Sequence, residues 1–448
     1  MNDTTETATI YALSSGHGRA GVAVVRISGP TAAAVLAAMA APCPAPRRAA
    51  LRLIRHPATG EVLDQALVLL FRGPASETGE DIAELHLHGS PAVVRAVLAA
   101  LSECPGCRLA EPGEFARRAF LNGKIDLTGA EGLADLIDAE TDAQRRQALR
   151  QAGGSLARLY DGWRDTILEA RAFAEAAIDF ADEADVAADA LDRARASATE
   201  LDARLAVHLS GAARGEIVRD GFRVTLAGPP NAGKSSLLNA LARRDVAIVS
   251  SEPGTTRDVL EVRLDLGGYP VVVADTAGLR EAESAIEREG VRRSLARVRD
   301  ADLVLWLVDA EAPVWSPPPD VSDGAAEVMI VLNKTDLVAP DPMHPLAARI
   351  SARTGAGIAD LESALADAVT SRLSDATPDT AIPTQARHRE ALTRCRAALV
   401  RALAPTCTEP ELIAEELRHA ADELGRLTGR VDPEELLGLI FGRFCIGK

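Results

Sequence analysis

No uninterrupted apolar stretch in this chain approaches the roughly 18 residues that a membrane-spanning helix needs, and no charged-then-apolar opening resembles a secretory signal. Neither a membrane nor an export route is expected. Cysteine is sparse: six are scattered through 448 residues, which argues against a disulfide framework and for a reducing compartment, the cytoplasm by default. Positive charge is in deficit. With 49 Lys and Arg against 65 Asp and Glu, the net charge is −16, whereas a protein that grips nucleic acid unaided carries a basic face. Any RNA contact must therefore come from a local patch or a partner. Proline is missing from residues 127–209, where the apolar period is helical. What the chain does have is length and apolar content, 448 residues at 47% hydrophobic, too long for one core and consistent with about three domains.

The most informative stretch is Gly228-Pro229-Pro230-Asn231-Ala232-Gly233-Lys234-Ser235, between an apolar strand at 224–227 and a helix that begins at Ser236. This is the spacing of a phosphate-binding P-loop. Its glycines let backbone N–H groups crowd around phosphate oxygens and the helix N-terminus adds partial positive charge. Lys234 reaches the β- and γ-phosphates, and the Ser235 hydroxyl is placed to ligate Mg²⁺. Further elements follow in order. Gly254-Thr255-Thr256-Arg257-Asp258 reads as a switch with Thr256 for Mg²⁺, and Asp275-Thr276-Ala277-Gly278 follows the apolar run 271–274, putting a carboxylate near the metal and γ-phosphate. Asn333-Lys334-Thr335-Asp336 follows the apolar run 328–332. A carboxylate there accepts from the N1–H and 2-amino group of guanine, a donor pair that adenine lacks. Ser351-Ala352-Arg353 comes at the distance of a loop that backs the base. Together these describe a GTPase domain over 219–376.

The flanks read as follows. Residues 10–27 form two strands around Ser14-Ser15-Gly16-His17-Gly18; segment 31–41 is helical, 66–71 and 82–87 are strands, and 91–101 is an amphipathic helix, giving a mixed α/β domain. His86 and His88 would share one face of a strand, but two histidines without a third ligand are read as structural. Cys104-Pro105-Gly106-Cys107 has redox spacing but follows a helix instead of opening one, and is read as surface thiols. From Leu127 to Leu209, Leu133, Leu136, Ile137, Ala148, Leu149, Leu156, Trp163, Ile167 and Phe173 track apolar helix faces, with Gly153-Gly154 as the expected break and the weakest face at Glu140 and Gln144. The acidic run 179–185 reads as a solvated connection, 313–319 as a surface insertion, and helices at 385–403 and 410–427 follow a polar linker at 374–384. Helices before and after an inserted α/β domain most economically form one bundle.

The C-terminal Phe444-Cys445-Ile446-Gly447-Lys448, the stretch Gly79-Glu80-Asp81 with Glu84-Leu85 and His88-Gly89, Pro112-Gly113-Glu114-Phe115, the run from Arg118 to Leu127, and Asp275-Thr276-Ala277-Gly278-Leu279-Arg280 together resemble the MnmE (TrmE) family of tRNA-modification GTPases over essentially the whole chain. The resemblance implies an α/β and α multidomain protein: a folate-binding-like and dimerising domain at 1–124, a helical domain at 125–218 plus 377–448, and the inserted Ras-like P-loop domain at 219–376. It implies GTP-dependent modification of the tRNA wobble uridine at C5. The group installed is aminomethyl or carboxymethylaminomethyl, its one-carbon unit comes from a 5-formyl- or methylene-tetrahydrofolate, and the partner is the FAD-dependent flavoprotein MnmG in a heterotetramer. Carried over by position, Arg26, Glu84, Lys124 and Lys448 would contact the folate, cations suiting glutamyl carboxylates and a carboxylate suiting pterin donors. Leu279 stands where Ras-like enzymes place a water-orienting glutamine. The family instead uses bound K⁺, implying Asn231, Ser250, Glu252 and Thr255 as ligands, with Glu287 orienting the attacking water and Asn231 and Lys234 completing the catalytic set. A GTP switch whose flanks bind RNA or a ribosome-assembly partner is the rival, since the GTPase motifs alone serve both.

Because Asp336 is read as pairing with guanine's donors, Asp336→Asn is expected to lose GTP affinity and gain affinity for xanthosine triphosphate. Unchanged GTP binding in a nucleotide titration would defeat the assignment.

Overall fold

The computed structural model describes residues 8–248, 261–275, 297–322, 326–338, 346, 348–373, 381–431, 434–442, 444, 446 and 447. The chain forms two compact units, one of residues 1–134, 151–171 and 417–448, the other of 135–150 and 172–416. No helix among the described residues is long and apolar enough to cross a membrane.

The first unit is built on a sheet of β1 (Thr9–Leu13), β2 (Ala20–Ser28), β3 (Ala50–Arg55), β4 (Val62–Phe71), β5 (Ile82–Gly89) and β6 (Cys107–Leu109), in the order β3-β4-β5-β2-β1-β6. Every described pairing is antiparallel except β1 with β6. Side chains alternate along β2: Ala23, Val25 and Ile27 are buried, while Arg26 between them points to the opposite face. The buried face packs against α1 (Ala32–Met39) and α2 (Pro91–Ser102), through Leu36, Met39, Val97 and Leu101. Each fully buried Leu or Ile there contributes on the order of 1.5–3 kcal/mol. Helix α2 starts where the sequence provides a cap, since Ser90 Oγ accepts from Ala92 N–H at 3.3 Å and Pro91 occupies a position with no N–H to satisfy. The short strands β3 and β6 and helix α3 (Glu114–Leu121) carry too few periodic residues to stand out in the sequence.

Helix α3 is fastened by buried charge. Arg118 donates to Glu114 at 2.9 Å, to Glu80 at 3.0 Å and to the Ala8 carbonyl at 2.9 Å, and Arg108 reaches Glu114 at 2.6 Å. Burial alone would push the Glu114 carboxyl up, but hydrogen bonds from Arg108, the Glu111 N–H and Arg118 together hold it below its ordinary value.

Residues 127–209 form α4 (Leu127–Ile137), α5 (Asp142–Ala152), α6 (Ser155–Asp179) and α7 (Ala184–Ser210). The Gly153-Gly154 break is present, and the acidic run read as a solvated connection holds the break at 180–183, but apolar spacing passes over a further break at 138–141. That further break has a clear cause. Thr141 and Gln144 make a capping box, Gln144 Oε1 accepting from Thr141 N–H at 3.0 Å and Gln144 N–H donating to Thr141 Oγ1 at 3.5 Å. Gln144 is thus a buried cap and not a flaw in an apolar face, while Ile137 and Leu149, assigned to that face from spacing, are 39% and 53% exposed.

In the second unit, α8 (Ala212–Asp220) leads into a sheet of β7 (Phe222–Ala227), β8 (Glu261–Leu266), β9 (Tyr269–Asp275), β10 (Leu303–Asp309), β11 (Glu327–Asn333) and β12 (Ala348–Arg349), with α9 (Lys234–Leu241) following β7. The order is β12-β11-β10-β7-β9-β8, parallel except for β8 on β9. β10 is buried on both faces, as central parallel strands are: Leu305 and Leu307 pack with Leu237 and Leu365, Trp306 and Val308 with Val298 and Leu332. Leu365 belongs to α10 (Ile358–Leu373), after which the chain continues as α11 (Ala386–Ala402), α12 (Pro410–Thr428) and α13 (Glu434–Phe441). This architecture, an α/β sheet domain, helices and a mainly parallel P-loop sheet, is the α/β and α multidomain class expected from the sequence.

Helices α7 and α11 bury His208 beside the fully buried His388. Burial, reinforced by His388, pushes the His208 imidazole down to about 4 from 6.5. The fold therefore holds this ring neutral, and the unfolded chain takes up the proton first. Stability should fall as pH drops from about 6.5 toward 4, by on the order of 3 kcal/mol from this group alone. His208→Gln is expected to shrink the difference in urea midpoint between pH 7 and about pH 4.5. An undiminished difference would place the acid sensitivity elsewhere.

Candidate active site

The P-loop lies at the C-terminal end of β7, where the strand order reverses between β9 on one side and β10 on the other, the crevice in which open α/β sheets bind ligands. Its backbone is built for close approach. Gly228 has a φ of 149°, and a Cβ there would stand 2.6 Å from the Leu307 carbonyl oxygen. Gly233 has a φ of 95°, and its Cβ would lie 2.3 Å from Asn333 Nδ2. Asn231 takes the left-handed conformation without being glycine, at φ 64°, and is exposed at the loop's crest. Ala232 is fully buried, and Ser235 and Ser236 open α9 with exposed side chains.

Lys234 is 8% exposed and its Nζ donates to the carbonyls of Gly228 at 2.8 Å and Pro229 at 2.9 Å. Burial lowers its pKa and Asp275 opposes the shift. The ammonium is thereby folded over the same loop whose N–H groups would surround phosphates, positioned to serve a β- or γ-phosphate oxygen. Ser235 Oγ donates to Asp275 Oδ2 at 2.8 Å, and Asp275 is 1% exposed at the end of β9. A hydroxyl and a buried carboxylate side by side, next to a phosphate cradle, form the hard oxygen donor set that Mg²⁺ takes, with the carboxylate acting through water. Arg297, which sequence reasoning missed, holds this corner by donating to the Asp275 carbonyl at 3.0 Å.

The two segments expected to recognise the base meet the P-loop through one side chain. Asn333, 2% exposed at the end of β11, donates from Nδ2 to the Ala232 carbonyl at 2.8 Å and accepts the Ala352 N–H on Oδ1 at 3.0 Å. Asp336 Oδ1 accepts from the buried Ser351 hydroxyl at 2.7 Å, which orients the carboxylate, and Ser351 Oγ also caps Thr354 N–H at 3.1 Å. Lys334 has a φ of 65° and its Nζ lies 2.6 Å from Asp309 Oδ2. Arg353 is exposed, so its side chain adds nothing visible to the constellation. Asp309 was also missed, although it closes an apolar run just as Asp275 and Asn333 close theirs. Thr255, Thr256, Thr276, Ala277, Gly278, Glu287, Ser250 and Glu252 lie outside the described residues.

In the first unit, Arg26 and Glu84 are cross-strand partners of β2 and β5. The Arg26 guanidinium bonds Glu84 Oε1 at 3.1 Å and Glu77 at 2.8 Å, and lies 5.8 Å from the centre of the Phe115 ring. Glu84 Oε2 is 3.3 Å from His86 Nε2, and His88 pairs instead with Asp64 at 2.7 Å. Two of the four residues proposed to hold folate are therefore adjacent and already paired with each other. Lys124 is exposed, and Lys448 lies outside the described residues, but the residues just before it are placed. Ile446 bridges Pro112, and Gly447 runs so close to β1 that a Cβ would sit 2.0 Å from the Leu13 carbonyl oxygen. Leu13 pairs with Val25, the neighbour of Arg26.

A glycine loop at a sheet switch point, a buried lysine folded over it, a serine hydroxyl on a buried carboxylate and the Asn333–Asp336 segment tied to that loop mark a P-loop GTPase. The family described as the GTP-binding protein TrmE N-terminus matches residues 9–124, and the MnmE helical domain family matches 127–445. Proteins named tRNA modification GTPase MnmE share 54% identity in Parvibaculum lavamentivorans, over 98% of this chain and 100% of that protein, and 55% in Methylorubrum populi, over 98% of each. The Caulobacter vibrioides protein of that name is 51% identical over 99% of this chain and 100% of its own length. The chain belongs to the MnmE (TrmE) family.

Asp309→Asn keeps the shape of the Lys334 contact and removes its charge. Nucleotide affinity should fall about tenfold, ~1.4 kcal/mol, with the fold unchanged. A GDP titration that gives the wild-type Kd would remove Asp309 from the base site.

Proposed function

We propose that this chain is a potassium-activated GTP hydrolase that acts on tRNA. As a homodimer joined in a heterotetramer with the FAD-dependent MnmG, it takes part in installing the aminomethyl or carboxymethylaminomethyl group at C5 of the wobble uridine. The observation that carries this reading is the continuous identity, above half of all positions along essentially the full length, to relatives named tRNA modification GTPase. The division into a dimerising domain at 1–124, a helical domain at 125–218 plus 377–448 and a GTPase domain at 219–376 belongs to the same proposal, as does a cytoplasmic location. An apolar face on the N-terminal sheet supports the dimer: Leu51, Leu53 and Leu67 are 56%, 42% and 46% exposed on neighbouring strands β3 and β4.

Within that proposal the parts have distinct work. Lys234 and the P-loop amides neutralise β- and γ-phosphate charge, while Ser235 and Thr256 hold Mg²⁺. Asn231, Ser250, Glu252 and Thr255 hold K⁺, whose charge would stand where other GTPases insert an arginine. Glu287 orients water in the absence of a glutamine at 279. A tetrahydrofolate supplies the one-carbon unit when bound, with Arg26, Glu84, Lys124 and Lys448 as its contacts. Glu84 presents a carboxylate to pterin donors, and Gly447, the residue before Lys448, runs beside β1, whose Leu13 pairs with Val25 next to Arg26.

Two titrations on the full chain test the reading. GTP turnover is expected to be strong in KCl and weak in NaCl at matched ionic strength, and to fall by ~10²–10⁴-fold in Glu287→Ala with nucleotide affinity kept. Equal rates in both salts would remove the ion from the mechanism. Binding of 5-formyltetrahydrofolate should weaken about tenfold or more in Glu84→Gln while GTP hydrolysis is retained, as expected if a charged hydrogen bond is lost. Undiminished folate affinity would show that the Arg26–Glu84 pair is only structural.

A further inference from the structure

Cys104-Pro105-Gly106-Cys107 joins the end of α2 to β6 and has no part in the activity proposed above. The structure does not leave it as a pair of surface thiols: Cys104 is 8% exposed and Cys107 is half-buried. The segment forms a closed turn, with the Cys107 N–H donating to the Cys104 carbonyl at 3.1 Å and Gly106 at a φ of 75°. Proline second and a positive-φ glycine third mark a type II turn, which keeps its first and fourth Cα atoms within about 7 Å. A disulfide needs Cα atoms roughly 4.4–6.8 Å apart, so the turn geometry brings the two cysteines within bridging reach.

Burial, with Cys107 nearby, raises the Cys104 thiol above its ordinary pKa, and burial with both thiols nearby raises the Tyr11 hydroxyl. Cys104 Sγ also lies 3.5 Å from the Ala100 carbonyl oxygen, which holds it at the last turn of α2. We propose that Cys104 and Cys107 are a reversible modification site, which closes to a disulfide across the turn on exposure to a hydroperoxide and reopens with a dithiol reductant.

The chemistry balances with that oxidant. The Cys107 thiolate attacks one peroxide oxygen, breaking the O–O bond, and the departing oxygen leaves as water with the thiol proton and one peroxide proton. The sulfenic acid left on Cys107 is attacked by the Cys104 thiolate, an S–S bond forms, and the hydroxyl leaves as a second water with the Cys104 proton. The sulfur pair loses two electrons and the peroxide gains them. Burial raises the pKa of both thiols, disfavouring the thiolate, so closure calls for sustained exposure and not a brief pulse.

The test uses the wild-type full chain. After removal of reductant, hydrogen peroxide treatment and alkylation, trypsin releases residues 96–108, which contain these two cysteines and no other. The expected peptide is lighter by two hydrogens, carries no alkyl label, and takes up two labels once reduced with dithiothreitol. In Cys104→Ser the same treatment should leave Cys107 as a sulfenic acid that dimedone traps. Two alkylatable thiols remaining at a dose that fully oxidises the exposed Cys43 would overturn the proposal. So would a peptide that gains oxygen atoms without losing two hydrogens.

Discussion

The nucleotide site depends on what the Asn333 carboxamide holds together. Its Nδ2 is bonded to the P-loop carbonyl of Ala232 and its Oδ1 to the N–H of Ala352, so the P-loop, the Asn333–Asp336 segment and the loop at 351–353 are joined at one buried group. Both halves of the amide are used, one as donor and one as acceptor. A carboxylate there would present acceptors only, and would face the Ala232 carbonyl oxygen with no proton between them. The absence of a side chain on Gly233 is part of the same contact, since any Cβ would collide with Asn333 Nδ2.

Around this tie, charged and polar groups are arranged in pairs. Lys234 rests on two loop carbonyls, Ser235 on Asp275, Lys334 on Asp309 and Asp336 on Ser351. Each of these groups thus has a partner that fixes its direction. Burial raises the Asp309 carboxyl, but hydrogen bonds from Lys334 and the Glu311 N–H outweigh it and hold it below its ordinary value.

The N-terminal sheet separates its two tasks by strand alternation. One face is apolar and packed on α1 and α2, and the other carries Arg26, Glu84 and His86 beside Phe115. The buried Glu80–Arg118–Glu114 network pins α3, and with it Phe115, to that second face. Tail residues 446 and 447 reach the same region because α13 packs Phe441 against Phe120 and Gly113 leaves no side chain in the way.

The strand-to-loop boundaries of the second sheet, the P-loop and the Asn333–Asp336 segment were legible in the amino-acid order, because each is a short apolar run ending in glycine or polar residues. Fold class followed from the same runs and from helical spacing on either side. The helix break at 138–141 was not legible, since capping by Thr141 and Gln144 uses polar atoms that apolar periodicity ignores, whereas the acidic run 179–185 marked the break it contains. The partners of Lys334 and Asp275 were hidden too, because Asp309 and Arg297 are brought in by strand order and not by sequence neighbourhood. The amino-acid order determined which chemical groups were available to handle GTP. Only the tertiary structure decided that Arg26 and Glu84 face each other, that residues near the chain's end lie beside β1, and that Cys104 is buried, since each depends on segments meeting across a sheet or a helix interface.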